Sequence, residues 1–496
     1  MDNVKEYFEK YWGWLALAVW VGGAVVLSLV RTSPFAIDEE AAKGLLLTWT
    51  VADNVVNPIV IFGIPDFRAL LYIPIGAYWP GNLLAAKIMA LIVAFIAVTM
   101  LYHWAKKNSD KEQALLASGL FLISPTLISQ VDSLSAGPYI LLGFVLGGWI
   151  NTAYRKNPRP YGGWYFSQLL WVAILTTLHP IALAYPIALV WHWFRNPHDS
   201  KGSKHVYVGI AIAVFLALAL TGGWGNLKFF GNPIEQLAIS LQGSIIWSQA
   251  DILWWPGIIA AGLLAIITAI DVKNVKQDFV SLAIYLSLFL GLIMPDQNWA
   301  LICVALLIYR GLHYLFRMNS ARHKNGLLGQ RGLVIAASLI VCTHFMLQDK
   351  NHVLTIKHAL LDPQDELIQS VVAEASDHTK PFRAASQWPA RTMLAAKRDV
   401  LPLPPVYDDP EKMLKVIKSV THIVFDHTAP ENKALVDALG NISTETETLG
   451  LFKGGVLVKV RNPDVELSTQ QRLAQDDKDK KKQETKDSTK NEEEKQ

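Results

Sequence analysis

Three carboxylates in a row, Asp38, Glu39 and Glu40, stand just after the first long apolar run, in Ile37-Asp38-Glu39-Glu40-Ala41-Ala42-Lys43. A carboxylate within hydrogen-bond reach of a hydroxyl can take its proton, so Asp38 is a candidate general base, with Glu39 placing it or the acceptor. The same residues read as a helix start. Asp38 caps, Glu39 and Glu40 complement the helix dipole, and Glu39 pairs with Lys43 four residues on. The two roles are compatible, because a cap fixes the backbone while its neighbours face a pocket. Glu39 and Glu40 fall about 100° and 200° round a helix from Asp38, so the three cannot share one function.

Other candidates lie near the ends of later apolar runs. Arg68 and Tyr72 follow in Gly63-Ile64-Pro65-Asp66-Phe67-Arg68-Ala69-Leu70-Leu71-Tyr72. An Arg suits a phosphate bidentately, although Asp66 and Arg68 also suit a surface ion pair. Asp132 follows Leu122-Ile123-Ser124-Pro125 in a turn without Lys or Arg. It is either a second pocket carboxylate or an ordinary cap. His179, in Thr177-Leu178-His179-Pro180, is a candidate contact for phosphate or a metal, or else a cap. Trp224, Lys228, Trp247, Trp254 and Trp255, in and beside the 223–251 loop, suit either a sugar ring or the headgroup level of a bilayer. Asn441-Ile442-Ser443 matches a glycan sequon, a match common by chance. No P-loop, dinucleotide fingerprint, zinc spacing or nucleophile elbow occurs, and the need for a divalent metal stays open.

The elements that must position these residues belong to a membrane protein. Of 496 residues, 52% are hydrophobic and only 18% charged, against about a quarter charged in soluble domains. Apolar runs of about 17–22 residues suit helices across about 30 Å of hydrocarbon. The expected spans are 13–30, 83–103, 114–129, 135–152, 164–179, 181–194, 206–222, 252–270, 279–294, 298–316 and 332–348, about eleven in all. No small-residue cleavage pattern follows the first, so it reads as an anchor. Within loop 31–82, the stretches Leu45–Trp49 and Ala69–Tyr78 read as interfacial helices. Alternate loops carry the basic residues, among them Lys106 and Lys107, Arg155 and Lys156, Lys273 and Lys276, while the turns near Asp132, His179 and Asp296 carry none. By the positive-inside rule the N-terminus is cytoplasmic and the acidic loop and C-terminal region lie outside. These basic loops report topology, not nucleic-acid binding. Lys87, near the start of the second span, is expected to snorkel outward. Cys303 and Cys342 lie in apolar runs, which argues against a disulfide framework.

Three regions follow: 1–349, the transmembrane domain including outer loop 31–82; 350–463, a small extracytoplasmic α/β domain; and 464–496, a charged tail too poor in apolar residues to order itself. In the second region Gln364–Ala375, Pro410–Val420 and Glu431–Leu439 read as helices. Thr421–Asp426 reads as a buried strand, and Leu449–Phe452 with Val456–Val460 as a hairpin.

A first span followed by an Asp-Glu pair, at the head of a large outer loop with two interfacial helices, resembles the start of the GT-C membrane glycosyltransferases. Protein O-mannosyltransferases and the aminoarabinose transferases of lipid A modification are the nearest types. In those families a Lys-Pro-Pro or His-Pro-Pro motif follows the acidic pair. It is absent here, and Arg68 and Tyr72 stand in its place. The stretch from Leu122 to Asp132 is similar to the family's third span and outer turn with an Asp. The resemblance covers roughly residues 10–200, plus the position of the C-terminal domain.

It implies a polytopic α-helical fold and an inverting glycosyltransferase in the cell envelope. A sugar would pass from a polyprenyl-phosphate carrier to a hydroxyl on a lipid, glycan or protein acceptor at the outer membrane face. Asp38 and Glu39 would be catalytic, and Lys43, Arg68, Tyr72, Asp132 and His179 would bind substrate. Membrane lipids, not nucleic acid, are the expected surroundings, and a bacterial inner membrane the expected location. A transporter or flippase is the alternative. Its ionisable groups would sit near the bilayer midplane, whereas here they cluster at outer loops.

Overall fold

The computed structural model describes residues 37–46, 66–79, 82–107, 109, 111–156, 162–195, 200–220, most of 262–270, 278–291, 297–322, 343, 363–377, 380–452 and 454–465. The expected first span, most of the last, the aromatic 223–251 loop and the charged tail from 466 lie outside the described residues. The chain divides into two compact units. The first comprises Met1–Ser33, Asp66–Leu71 and Leu83–His358, the second Pro34–Pro65, Tyr72–Asn82 and Ala359–Gln496.

Two helices come from the 31–82 region, α1 (Glu39–Leu46) and α2 (Arg68–Tyr78). The first unit then runs through α3 (Leu83–Ala105), α4 (Lys111–Leu122), α5 (Pro125–Asp132), α6 (Gly137–Lys156), α7 (Gly163–Leu178), α8 (Ala184–Arg195), α9 (Ser200–Leu220), α10 (Phe279–Gly291) and α11 (Gln297–Arg322). On α3 the small residues Ala86, Ala90, Ala94 and Ala97 are buried, while Leu84, Ile88, Ile92, Phe95 and Ile96 face outward. Small residues inward let α6 approach closely, and large apolar residues outward suit lipid. Its 23 residues span about 34 Å. Among the described residues α3 is the one unbroken helix long and apolar enough to cross a membrane by itself.

A second candidate is the pair α4 and α5, bent by 47°. The sequence reading made 114–129 one continuous span. The break comes from Pro125, which cannot donate to the preceding turn, and from Ser124, whose Oγ accepts from the Leu127 amide at 3.4 Å and caps α5. His179 and Pro180 divide α7 from α8 in the same way, with a short 3-10 turn between.

In the second unit a five-stranded sheet has the order β2-β1-β3-β5-β4. Its strands are β1 (Ala384–Ser386), β2 (Val400–Pro402), β3 (His422–Phe425), β4 (Thr446–Phe452) and β5 (Gly455–Val460). β1 runs parallel to β2 and β3, and β5 antiparallel to β3 and β4. The remaining helices are α12 (Pro363–Ala375), α13 (Pro389–Ala396), α14 (Pro410–Ile417) and α15 (Lys433–Asn441). Ile423, Phe425, Val456, Val458 and Val460 alternate onto one face and bury Met413, Ile417, Leu435 and Leu439 from α14 and α15. α12 packs on β5 and on α13. The β4–β5 turn ends at Gly455, whose φ of +148° no other residue tolerates well; a Cβ there would lie 2.4 Å from the Phe425 carbonyl oxygen.

Helix α1 groups with this second unit. Its apolar side, Ala41, Ala42, Leu45 and Leu46, is buried and α1 packs on α13. Leu45 and Leu46 are buried here, and the rest of the Leu45–Trp49 stretch read as interfacial lies outside the described residues. The α2 stretch does expose Leu70, Tyr78 and Trp79.

Candidate functional site

The acidic helix start is built as a cap. Asp38 Oδ1 accepts from the Glu40 amide at 2.9 Å and from the Ala41 amide at 3.3 Å. The following carboxylates then diverge, as the helical spacing requires. Glu40 accepts from Lys43 Nζ at 2.5 Å, a pair expected between Glu39 and Lys43. Glu39 is engaged elsewhere. Its Oε1 accepts from the Ala390 amide at 2.8 Å and its Oε2 from the Arg391 amide at 2.9 Å, both in the first turn of α13. Burial pushes the Glu39 carboxyl up to about 7, although both backbone amides and Lys43 favour its charged form.

In the first unit two buried ion pairs meet the turn between α5 and α6. Asp66 and Arg68 are 4% and 1% exposed, so they pair in the interior and not at the surface, as one reading of the sequence had it. Arg68 Nε and Nη2 donate to Asp66 Oδ2 at 2.7 and 2.6 Å, and the Arg68 amide donates to Oδ1 at 2.9 Å. Arg68 Nη1 reaches across to the Leu134 carbonyl at 2.8 Å. Leu134 has φ +58°, a left-handed conformation costing a residue with a Cβ about 1–2 kcal/mol. Two residues earlier, Asp132 accepts from Lys87 Nζ.

The expectation that Lys87 snorkels outward is overturned. Lys87 lies on the buried side of α3 with Ala86 and Ala90, and Asp132 supplies the countercharge that makes burial tolerable. The signal was present in the sequence: Lys87 is the one charged residue in the 83–103 run, and such a residue needs a named partner.

Tyr72 is fully buried in α2. His179 Nδ1 accepts from the Ile181 amide at 3.2 Å and caps the 3-10 turn. The fold therefore gathers Asp38, Glu39 and Lys43 on α1, and separately brings Arg68 and Asp132 to one turn. Sequence reasoning missed the amides of α13 as the partner of Glu39. A clue was Trp388-Pro389, a helix start whose cap position has no side-chain acceptor. Among the described residues no group of three His, Cys, Asp or Glu side chains is placed to hold a metal ion.

Solved structures place this architecture. The oligosaccharyltransferase AglB from Archaeoglobus fulgidus, in complex with an inhibitory peptide and a dolichol-phosphate, superposes with a TM-score of 0.50 at 11% identity, covering 93% of this chain and 75% of its own. ArnT from Cupriavidus metallidurans in the apo state gives 0.52 at 12% identity, covering 90% of this chain and 98% of its own. The fold is GT-C. The undecaprenyl phosphate complex of the same ArnT gives 0.50 with the same identity and coverage. No protein-family model and no curated protein sequence matches this chain. At 11–12% identity the likeness is one of fold alone.

Proposed function

We propose that this chain is an integral membrane glycosyltransferase that moves a sugar from a polyprenyl-phosphate carrier to a hydroxyl acceptor on the outer face of the membrane. The observation that carries the reading is the GT-C likeness over nine-tenths of the chain, to proteins whose structures hold dolichol-phosphate or undecaprenyl phosphate.

Asp38 is the proposed base. As the acceptor hydroxyl attacks the anomeric carbon, Asp38 takes its proton, the carbon–oxygen bond to phosphate breaks, and the lipid phosphate leaves with the electron pair. One base and no covalent intermediate give inversion, by analogy with inverting glycoside hydrolysis. The helix start holds the Asp38 carboxylate in place, with Oδ1 accepting from the Glu40 and Ala41 amides. His179 is the proposed phosphate contact and Lys43 the proposed substrate contact, while the buried Arg68 and Asp132 shape the turn between α5 and α6. A divalent metal, if used, would assist departure of the phosphate.

One observation favours the rival transporter reading: Lys87 and Asp132 form a buried ion pair within an apolar helical unit, as transport pathways do. A transporter would move a lipid-linked or small-molecule substrate without breaking its phosphate–sugar bond. Release of polyprenyl phosphate from undecaprenyl-phosphate monosaccharides by the purified protein separates the two.

A further inference from the structure

Helix α13 begins without a cap of its own. Its N-cap residue is Trp388, whose indole cannot accept a hydrogen bond from the first-turn amides. Two of those amides, Ala390 and Arg391, are satisfied instead by both oxygens of Glu39, 351 and 352 residues away in sequence. The contact is seated in packing, since the buried residues Ala41, Ala42, Leu45 and Leu46 belong to α1 and α1 lies on α13. α13 in turn packs on α12, β1 and β2, so Glu39 ties α1 into the core of the α/β fold. Asp38 is the residue immediately before Glu39, with consecutive Cα atoms about 3.8 Å apart. Its carboxylate is held by the same helix start.

We propose that Glu39 is a positioning residue: it supplies, from a distant part of the chain, the cap that α13 lacks, and so makes the placement of Asp38 depend on the C-terminal α/β fold. This deepens the reading of Asp38 as base and rests on it. It also assigns the C-terminal α/β fold a part in catalysis. A base that shifts by about 1 Å loses on the order of 10²-fold in rate.

A cap supplied locally separates this role from mere stabilisation of α13. Asp at position 388 would accept from the same amides. Full-length protein is compared as wild type, Glu39→Ala, Trp388→Asp and the double variant, by hydrogen exchange of α1 and α13 and by transfer from a panel of undecaprenyl-phosphate monosaccharides. Glu39→Ala is expected to speed exchange in both helices. Adding Trp388→Asp is expected to restore protection to α13 alone, with transfer still reduced about tenfold or more. Should Glu39→Ala fail to fold, Glu39→Gln, which keeps one acceptor oxygen, is expected to show the same direction at smaller size. Wild-type transfer in the double variant, or unchanged α1 exchange in Glu39→Ala and in Glu39→Gln, would overturn the proposal. Asp38→Asn is run alongside. If it transfers normally, the reading of Asp38 fails, while the exchange data still decide whether Glu39 ties α1 to α13.

Discussion

Removing Lys87 should be among the most damaging single changes in the first unit. Lys87 and Asp132 side chains are 4% and 5% exposed and contact each other directly. Lys87→Ala removes the lysine countercharge from a buried carboxylate, and breaking a buried pair from one side costs about 3–5 kcal/mol. Asp132 is also the last residue of α5, two residues before the left-handed Leu134 that Arg68 holds. Loss of the pair therefore acts on a turn that already carries about 1–2 kcal/mol of conformational cost. Replacing both partners by Leu removes both charges and should recover most of the loss, since apolar replacement of buried pairs is often neutral or better. The assay is thermal unfolding in detergent of wild type, Lys87→Ala, Asp132→Ala and the double Leu variant. A coupling of about 2–3 kcal/mol between the sites is expected. A Lys87→Ala protein within about 0.5 kcal/mol of wild type, the range of an ordinary surface change, would refute the buried pair. Strict additivity would refute the coupling.

The α/β unit should lose stability on acidification through His422. Burial holds this imidazole down at about 4, Lys459 adds to the effect, and Glu374 opposes it. Its ordinary value is 6.5, so the unfolded chain takes the proton first. Stability is therefore intact above pH 6.5 and falls by up to about 3 kcal/mol as pH drops to 4. Glu39 acts with the opposite sign: its contribution is present near pH 4.5 and lost as pH rises to about 7. Hydrogen exchange of β3 against pH should accordingly show an acid limb that His422→Gln flattens; an unchanged limb counts against the assignment. Cysteines placed at Ser203 and Ser376 should label from opposite sides of the membrane, as the alternation of basic and non-basic turns requires. Labelling of both from one side rejects that topology.

Local signals carried much of the second unit. The helix pattern at Gln364–Ala375, the buried run at Thr421–Asp426 and the paired runs Leu449–Phe452 and Val456–Val460 appear as α12, β3 and the β4–β5 hairpin. β1 and β2 escaped because three-residue strands carry no readable alternation. The bend between α4 and α5 was written in Ser124-Pro125 but hidden by unbroken hydropathy. At the candidate site the cap formed by Asp38 is local and was legible. The partners of Glu39 and Lys87 are set by tertiary packing, 351 and 45 residues away, which no spacing rule reaches.

The central claim, that Asp38 is the base of a lipid-phosphate glycosyl transfer, is tested most directly by Asp38→Asn. Asn is itself a good cap, so the helix start is kept while the basic carboxylate is lost. The measurement is release of undecaprenyl phosphate from a panel of undecaprenyl-phosphate monosaccharides by purified wild-type and variant protein of matched thermal stability. Wild-type release with a variant slower by about 10²–10⁴-fold is the predicted result. A folded Asp38→Asn protein releasing lipid phosphate at the wild-type rate would remove Asp38 from the mechanism, and a wild-type protein that releases none would contradict the transferase reading itself.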